Sequence, residues 1–270
     1  MTEVLDLQRV ADLIDGAQVT GTAIEQFGEA LELRDAYAVQ RRLLAMRETR
    51  GETLTGVKLG FTSIAKMQQM GVDEIIVGFL TDRMLLADRG SMVLDGLVHP
   101  RVEPEVAFRL GRRVEPDGSA AELVDAIDAV APALEVIDSR YRDFRFSLTD
   151  VVADNTSAAY YAVGTWQPFR RDLEGLAVTL FADGAVADTG TTSAILGHPL
   201  HAVERLARML PEVGRALDAG SIILAGAATA AVAVGEASDV SAVIAGLGQV
   251  EIHVDRERQA ELNENGAAHG

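Results

Sequence analysis

Apolar and polar positions along the chain first follow a helical period and then a period of two. In "LRDAYAVQRRLLAMRETRGE", Ala36, Val39, Leu43 and Met46 recur three or four apart, which lines one face of an α-helix, and Gly51 stops the run. Residues 1 to about 50 are therefore expected to be helical. From about 53 to 165, "TGVKLGF", "RVEPEVAFRL", "PALEVID" and "AAYYAVG" have strand character, interrupted by the short helical pieces "SIAKMQQM" and "AAELVDAIDAV". Further on, "LAVTLFADGAVADTG" predicts a hairpin turning at Asp183-Gly184. A helix follows in "PLHAVERLARMLPEV", with Val203, Leu206, Ala207 and Leu210 on one face, and "GSIILAGAATAAVAV" and "VSAVIAGLGQVEIHV" are two more β-rich runs. The sum is an α+β domain: a helical N-terminal segment (1–52) packed on a β-rich core (53–255), with a polar tail (256–270) expected to fray. No internal repeat or low-complexity linker divides it.

Within that frame, "HPRVEPEVAFRL" asks a question. Period two puts Val102, Pro104, Val106 and Phe108 on one face and Arg101, Glu103, Glu105 and Arg109 on the other, with the two carboxylates roughly 7 Å apart along the strand. Two readings are open: the glutamates face water, or they wait for a cation. A third carboxylate, Glu135, lies between Leu134 and Val136 in a segment that otherwise reads as core. Burying it unpaired is costly, so it needs a cation, several hydrogen bonds or a cavity wall. The plainest partner is a nearby arginine, Arg140 or Arg142. If Glu103, Glu105 and Glu135 converge, they form an oxygen-only site suited to Mg²⁺ or Mn²⁺.

Composition narrows the chemistry. The 270 residues contain no cysteine, so disulfides and zinc-thiolate sites are excluded and a cytoplasmic enzyme is the default. A net charge of −17 argues against nucleic acid and anionic membranes; an anionic small substrate would need a local cation in its site. No apolar run is long enough to span a bilayer, and the acidic N-terminus lacks the features of a signal peptide. Of 24 basic residues only Lys58 and Lys66 are lysines. A compact ammonium in the strand-like "TGVKLGF" can serve a small anion or move a proton, which a guanidinium cannot, although a coding bias that spared two lysines gives the same count. The histidines are His99, His198, His201, His253 and His269; His198 and His201 flank a helix start, where capping is the plain role. "GLG" at 246–248 and "LAGAATA" at 224–230 read as turns, the first with a close backbone approach.

Five blocks, "GVKLGFTSIAKMQQMGV", "HPRVEPEVAF", "PALEVIDSRYRDFRF", "VVADNTSAAYYAVG" and "SAILGHPL", occur in this order. Together they resemble the hydratase/decarboxylase branch of the fumarylacetoacetate hydrolase superfamily over residues 35 to about 252. These are enzymes of the meta-cleavage pathway for aromatic compounds. The resemblance implies a β-rich mixed-sheet core behind helices, Mg²⁺ or Mn²⁺ ligands at Glu103, Glu105 and Glu135, an active-site lysine at Lys58, and substrate contacts at Ser157 and Thr229. The branch contains a hydratase of 2-hydroxypenta-2,4-dienoate and a decarboxylase that makes that compound from 4-oxalocrotonate (2-oxohex-3-enedioate), a small anionic keto acid. Hydratases carry Pro and Asp where "GVDEIIVGFL" has Ile75 and Ile76; an apolar residue at the second position fits the decarboxylase, and Ile76 becomes a substrate-wall residue. The alternatives are the hydratase, a C–C bond hydrolase, and a metal-dependent binding protein without catalysis. The resemblance also implies a homo-oligomer that associates with a partner hydratase.

Overall fold

The computed structural model describes residues 6–256 apart from 65, 66, 69 and 70. The expected fraying of the tail beyond 256 and part of the "SIAKMQQM" helical piece lie outside the described residues. Two helices lead: α1 (Leu7–Thr20) and α2 (Leu33–Thr49). Asp6 caps α1 by accepting from the Gln8 and Arg9 amides, and Gly21 ends it in the left-handed region. On α2 the face read from the sequence is the buried one: Ala36, Val39 and Leu43 are inaccessible to solvent. Arg50 binds Asp15 through two bonds of 2.8 and 2.7 Å and clamps α2 to α1.

The helices cover one face of a nine-stranded mixed sheet. Its main path runs β2 (Ile76–Thr81), β1 (Leu54–Gly60), β11 (Ile222–Ala227), β5 (Arg101–Leu110), β6 (Ile127–Ile137), β7 (Ala158–Val163) and β3 (Leu85–Leu86). Short strands β8 (Gln167–Pro168) and β12 (Val232–Ala233) add to β6 and β5. Strand β1 runs parallel to β11, and β5 antiparallel to both β11 and β6. A second sheet, in the order β10 (Ala185–Thr191), β9 (Ala177–Ala182), β13 (Asp239–Ile244), β14 (Gly248–Asp255) and β4 (Gly90–Val93), packs on the first through Leu134, Val136, Leu180, Val240 and Ile252. The predicted hairpin joins β9 to β10 with Asp183 and Gly184 at its turn. Among the described residues no helix is long and apolar enough to cross a membrane.

Helix α3 (Ala120–Asp125), α4 (Leu148–Ala153) and α5 (Pro199–Val213) complete the fold. In α5 the predicted face holds: Val203, Leu206 and Leu210 are fully buried, and His198 caps the helix by accepting from the Leu200 amide. Three expectations need correction. The piece "AAELVDAIDAV" is not one helix: α3 stops at Asp125 and strand β6 starts at Ile127, because this stretch is drawn into the sheet between β5 and β8. Residues 224–227 of "LAGAATA" are strand, not turn. The close approach in these two runs falls at Gly226, where an added Cβ would sit 1.8 Å from the side-chain Oγ1 of Thr62, whereas 246–248 is only the β13–β14 turn.

Candidate active site

The C-terminal ends of β1, β6 and β11 and the starts of β2 and β5 open onto one cavity of about 570 Å³. Lys58, Ile76, Arg101, Glu103, Ser157 and Thr229 all line it. Lys58 stands opposite Gly78 in the β1–β2 register. That glycine is required: a Cβ there would come within 2.7 Å of the Asn155 carbonyl oxygen and 3.1 Å of Lys58 Cδ. The lysine side chain is buried, its Nζ donates to the Thr156 carbonyl at 3.0 Å, and it lies 3.0 Å from Glu135 Oε1.

The three glutamates meet as the sequence suggested they could. Glu103 and Glu135 are direct partners across the β5–β6 pair, and Glu105 is two residues along β5. One carboxylate oxygen from each lies within 4.8 Å of the others. Like charges directly opposite across a sheet are destabilising, and here two of the three are completely buried. Burial, then the charge of Glu135, pushes the Glu105 carboxyl well above the usual range, although Lys58 and the Gly226 amide pull the other way. For Lys58, burial depresses the ammonium, but Glu135, Glu105 and Glu103 more than offset it and its pKa is raised. Glu105 Oε2 accepts from Gly226 N at 2.7 Å; Glu105 Oε1 and both oxygens of Glu135 have no hydrogen-bond donor. The Lys58–Glu135 approach is thus a close charge contact with poor hydrogen-bond alignment. Buried, undonated carboxylate oxygens converging on one point fit a divalent cation, and the all-oxygen donor set fits a hard one. A second group, Asp239, Glu251 and His253, is half-exposed, and its members already pair with Arg89 and with each other.

The expected partner of Glu135 was wrong. Arg140 instead meets Asp154 at 2.7 Å and Arg142 pairs with Glu25, because the strand register aims Glu135 at β1 rather than at the loop that follows it in sequence. Buried Arg140 and Asp154 support the loop Asn155–Thr156–Ser157, in which three successive residues are left-handed, with φ of 50°, 54° and 57°. Such strain persists only when the surroundings fix it, and it clusters at functional sites. Asn155 supplies the fixing: its side chain accepts from Phe79 N at 2.8 Å and donates to Phe79 O at 3.0 Å. The hydroxyls of Thr156 and Ser157 are buried without a protein partner at the cavity wall. Thr156, Phe144 and Gly226 escaped the sequence reading, and Arg101 was placed on the glutamate face without a role; the turn-forming run "DNTS" was the one signal that could have marked the loop.

The sequence profile of the fumarylacetoacetate (FAA) hydrolase C-terminal region matches residues 56–255, which take in every residue of this cavity. The chain belongs to the fumarylacetoacetate hydrolase family. Within the family it is 44% identical to a 4-oxalocrotonate decarboxylase of a Pseudomonas species, over 94% of this chain and 100% of that one. It is 36% identical to a 2-keto-4-pentenoate hydratase of Burkholderia vietnamiensis, over 93% and 98%. The fold superposes on the 4-oxalocrotonate decarboxylase of Pseudomonas putida G7, a structure complexed with magnesium and adipate, with a TM-score of 0.85 at 36% identity, covering 92% of this chain and 97% of that one. The mixed-sheet fold expected from the sequence is the family's fold.

Proposed function

We propose that the chain is a divalent-metal-dependent decarboxylase that converts 4-oxalocrotonate to 2-hydroxypenta-2,4-dienoate and CO2. The observation that carries this is the cluster of Glu103, Glu105 and Glu135 facing Lys58 in one cavity whose wall includes Ile76. The likeness to two enzymes, one named a decarboxylase and one a hydratase, supports the branch; the higher identity to the former and the apolar Ile76 support the decarboxylase. Glu103, Glu105 and Glu135 would hold Mg²⁺ or Mn²⁺. Such an ion supplies Lewis-acid polarisation of the carboxylate and carbonyl oxygens of a 2-oxo acid.

The chain's own residues then have defined tasks. The C5–C6 bond of the substrate breaks, C6 leaves as CO2, and its electron pair moves through C4 and C3 to the oxygen on C2. Lys58, protonated and pinned between Glu135 and the Thr156 carbonyl, orients the developing anion and donates the proton that completes the enol. Ile76, buried at the start of β2 beside Gly60, leaves the C6 carboxylate without donors, which favours neutral CO2 over the charged group. Ser157 and Thr229 contribute wall contacts to the substrate.

The test measures CO2 release from 4-oxalocrotonate beside hydration of 2-hydroxypenta-2,4-dienoate, with metal-stripped and Mg²⁺- or Mn²⁺-loaded protein. Metal-dependent CO2 release is expected, and Ile76→Asp should raise KM and lower kcat while Ile76→Val retains most activity. Efficient hydration with no CO2 release would hand the site to the hydratase reaction, and full turnover without metal would refute the carboxylate centre.

A further inference from the structure

Among the described residues two cations line the cavity, and the mechanism uses only Lys58. The other is Arg101, two residues before Glu103 on the same face of β5. Its guanidinium lies 4.5 Å over the ring of Phe144. No carboxylate comes within ion-pair distance of it among the described residues, in a chain with 41 acidic residues. Phe144 is held by two non-glycine residues in the left-handed region, Asp143 at φ 56° and Phe144 itself at φ 57°, and by ring contacts with His99 and Phe146 at 6.1 and 5.4 Å. The backbone is thus strained to build an aromatic shelf under one arginine. Stacking fixes the guanidinium plane and leaves its N–H edge for a carboxylate.

Strand order says which carboxylate. Arg101 stands about 7 Å along β5 from Glu103 on the same face, whereas Ile76 lies on β2 against Gly60 of β1, outside the strand pair that carries the glutamates. The glutamates lie on β5 and β6, at the Arg101 end. Resting on the function proposed above, we infer that Arg101 is the anchor for the C1 carboxylate, the one the product retains, and that the leaving carboxylate at the Ile76 end has no such partner. Charge balance agrees: a dianion entering a chain of net charge −17 needs a cation, and one placed on the retained end does not stabilise the charge that must vanish. An interaction kept from ground state to transition state sets KM and not kcat.

The experiment compares 4-oxalocrotonate with 2-oxopentanoate, a five-carbon 2-oxo acid with no second carboxylate. Binding of 2-oxopentanoate to Mg²⁺-loaded protein is measured by calorimetry, and steady-state constants are measured for the substrate. In Arg101→Met the affinity for 2-oxopentanoate and the substrate KM should both worsen by the same factor, roughly 10- to 100-fold, with kcat within about threefold of wild type. Arg101→Lys should recover part of the loss. Unchanged 2-oxopentanoate binding overturns the assignment; so does a defect confined to the diacid, which would place Arg101 at the leaving end. Phe144→Leu, which removes the shelf, should shift both constants in the same direction by less, and Phe144→Tyr should not; no effect of Phe144→Leu would refute the stacked anchor even if Arg101→Met does not fold. Wild-type protein that binds 2-oxopentanoate through Arg101 but releases no CO2 would refute the decarboxylase reading and leave the anchor standing.

Discussion

Two oxygens lie 3.0 Å from the Lys58 ammonium, the Thr156 carbonyl that accepts its hydrogen bond and Glu135 Oε1 in a charge contact, and the stem is boxed in against Gly78. A guanidinium keeps the charge but cannot occupy that space or give up a proton. Lys58→Arg should therefore lower kcat by on the order of 10²- to 10⁴-fold, with the circular dichroism spectrum of the wild type; near-normal kcat would make the lysine structural. Glu105 carries a second prediction at this scale. Its carboxyl is raised well above the ordinary range, so in the metal-free site it holds a proton at pH values where a free glutamate does not. Metal binding must displace that proton, so affinity should rise with pH until the raised pKa is passed and fall as pH drops below it. Calorimetric Mg²⁺ titrations in buffers of different ionisation enthalpy should show release of about one proton below that point. Glu105→Gln should bind metal weakly and lose this release; a pH-independent affinity in wild type contradicts it.

At the level of elements, the periodic pattern located α2 and α5 with the correct faces, because each buries one side against the core and keeps the other polar, while Asp183-Gly184 marked the β9–β10 turn and alternation along β5 put Glu103 and Glu105 on one face. It found the second half of β6 in "PALEVID" but failed at the first, Ile127–Val130, where burial erases alternation and a stretch rich in alanine reads equally well as helix. It named Glu103, Glu105, Glu135 and Lys58, but gave Glu135 an arginine close in sequence, since no local pattern reports that β11 returns to lie between β1 and β5. The same crossing strand makes Gly226 indispensable. With φ of +108° and Thr62 Oγ1 1.8 Å from a new Cβ, Gly226→Ala should cost on the order of 3 kcal/mol and disturb the amide that holds Glu105. Gly16, in α1 with nothing within 4 Å, is the contrast: Gly16→Ala should stabilise by about 0.5–1 kcal/mol. Urea midpoints moving in the same direction for both would contradict the distinction.

Taken as a whole molecule, the protein repels what it is proposed to bind. Its 41 acidic residues outnumber its 24 basic ones, and the substrate is a dianion. Two electrostatic effects then compete as salt is added. Arg101, Lys58 and the metal act over a few ångströms inside a walled cavity, where ions screen weakly, whereas the surface acids act over distances comparable with the Debye length. That length shortens from about 30 Å at 0.01 M to about 8 Å at 0.15 M, so the long-range repulsion is the part that salt removes. With free Mg²⁺ held saturating, raising KCl across this range should lower KM and raise kcat/KM for 4-oxalocrotonate, and leave kcat unchanged, because substrate and transition state carry the same total charge into the same field. The size of the effect scales with ligand charge. The dissociation constant of singly charged 2-oxopentanoate should therefore respond with about half the logarithmic slope of the substrate KM. A KM that rises with salt would mean that local attraction outweighs the field of the whole chain, and equal slopes for the two ligands would mean that only one carboxylate of the substrate senses that field.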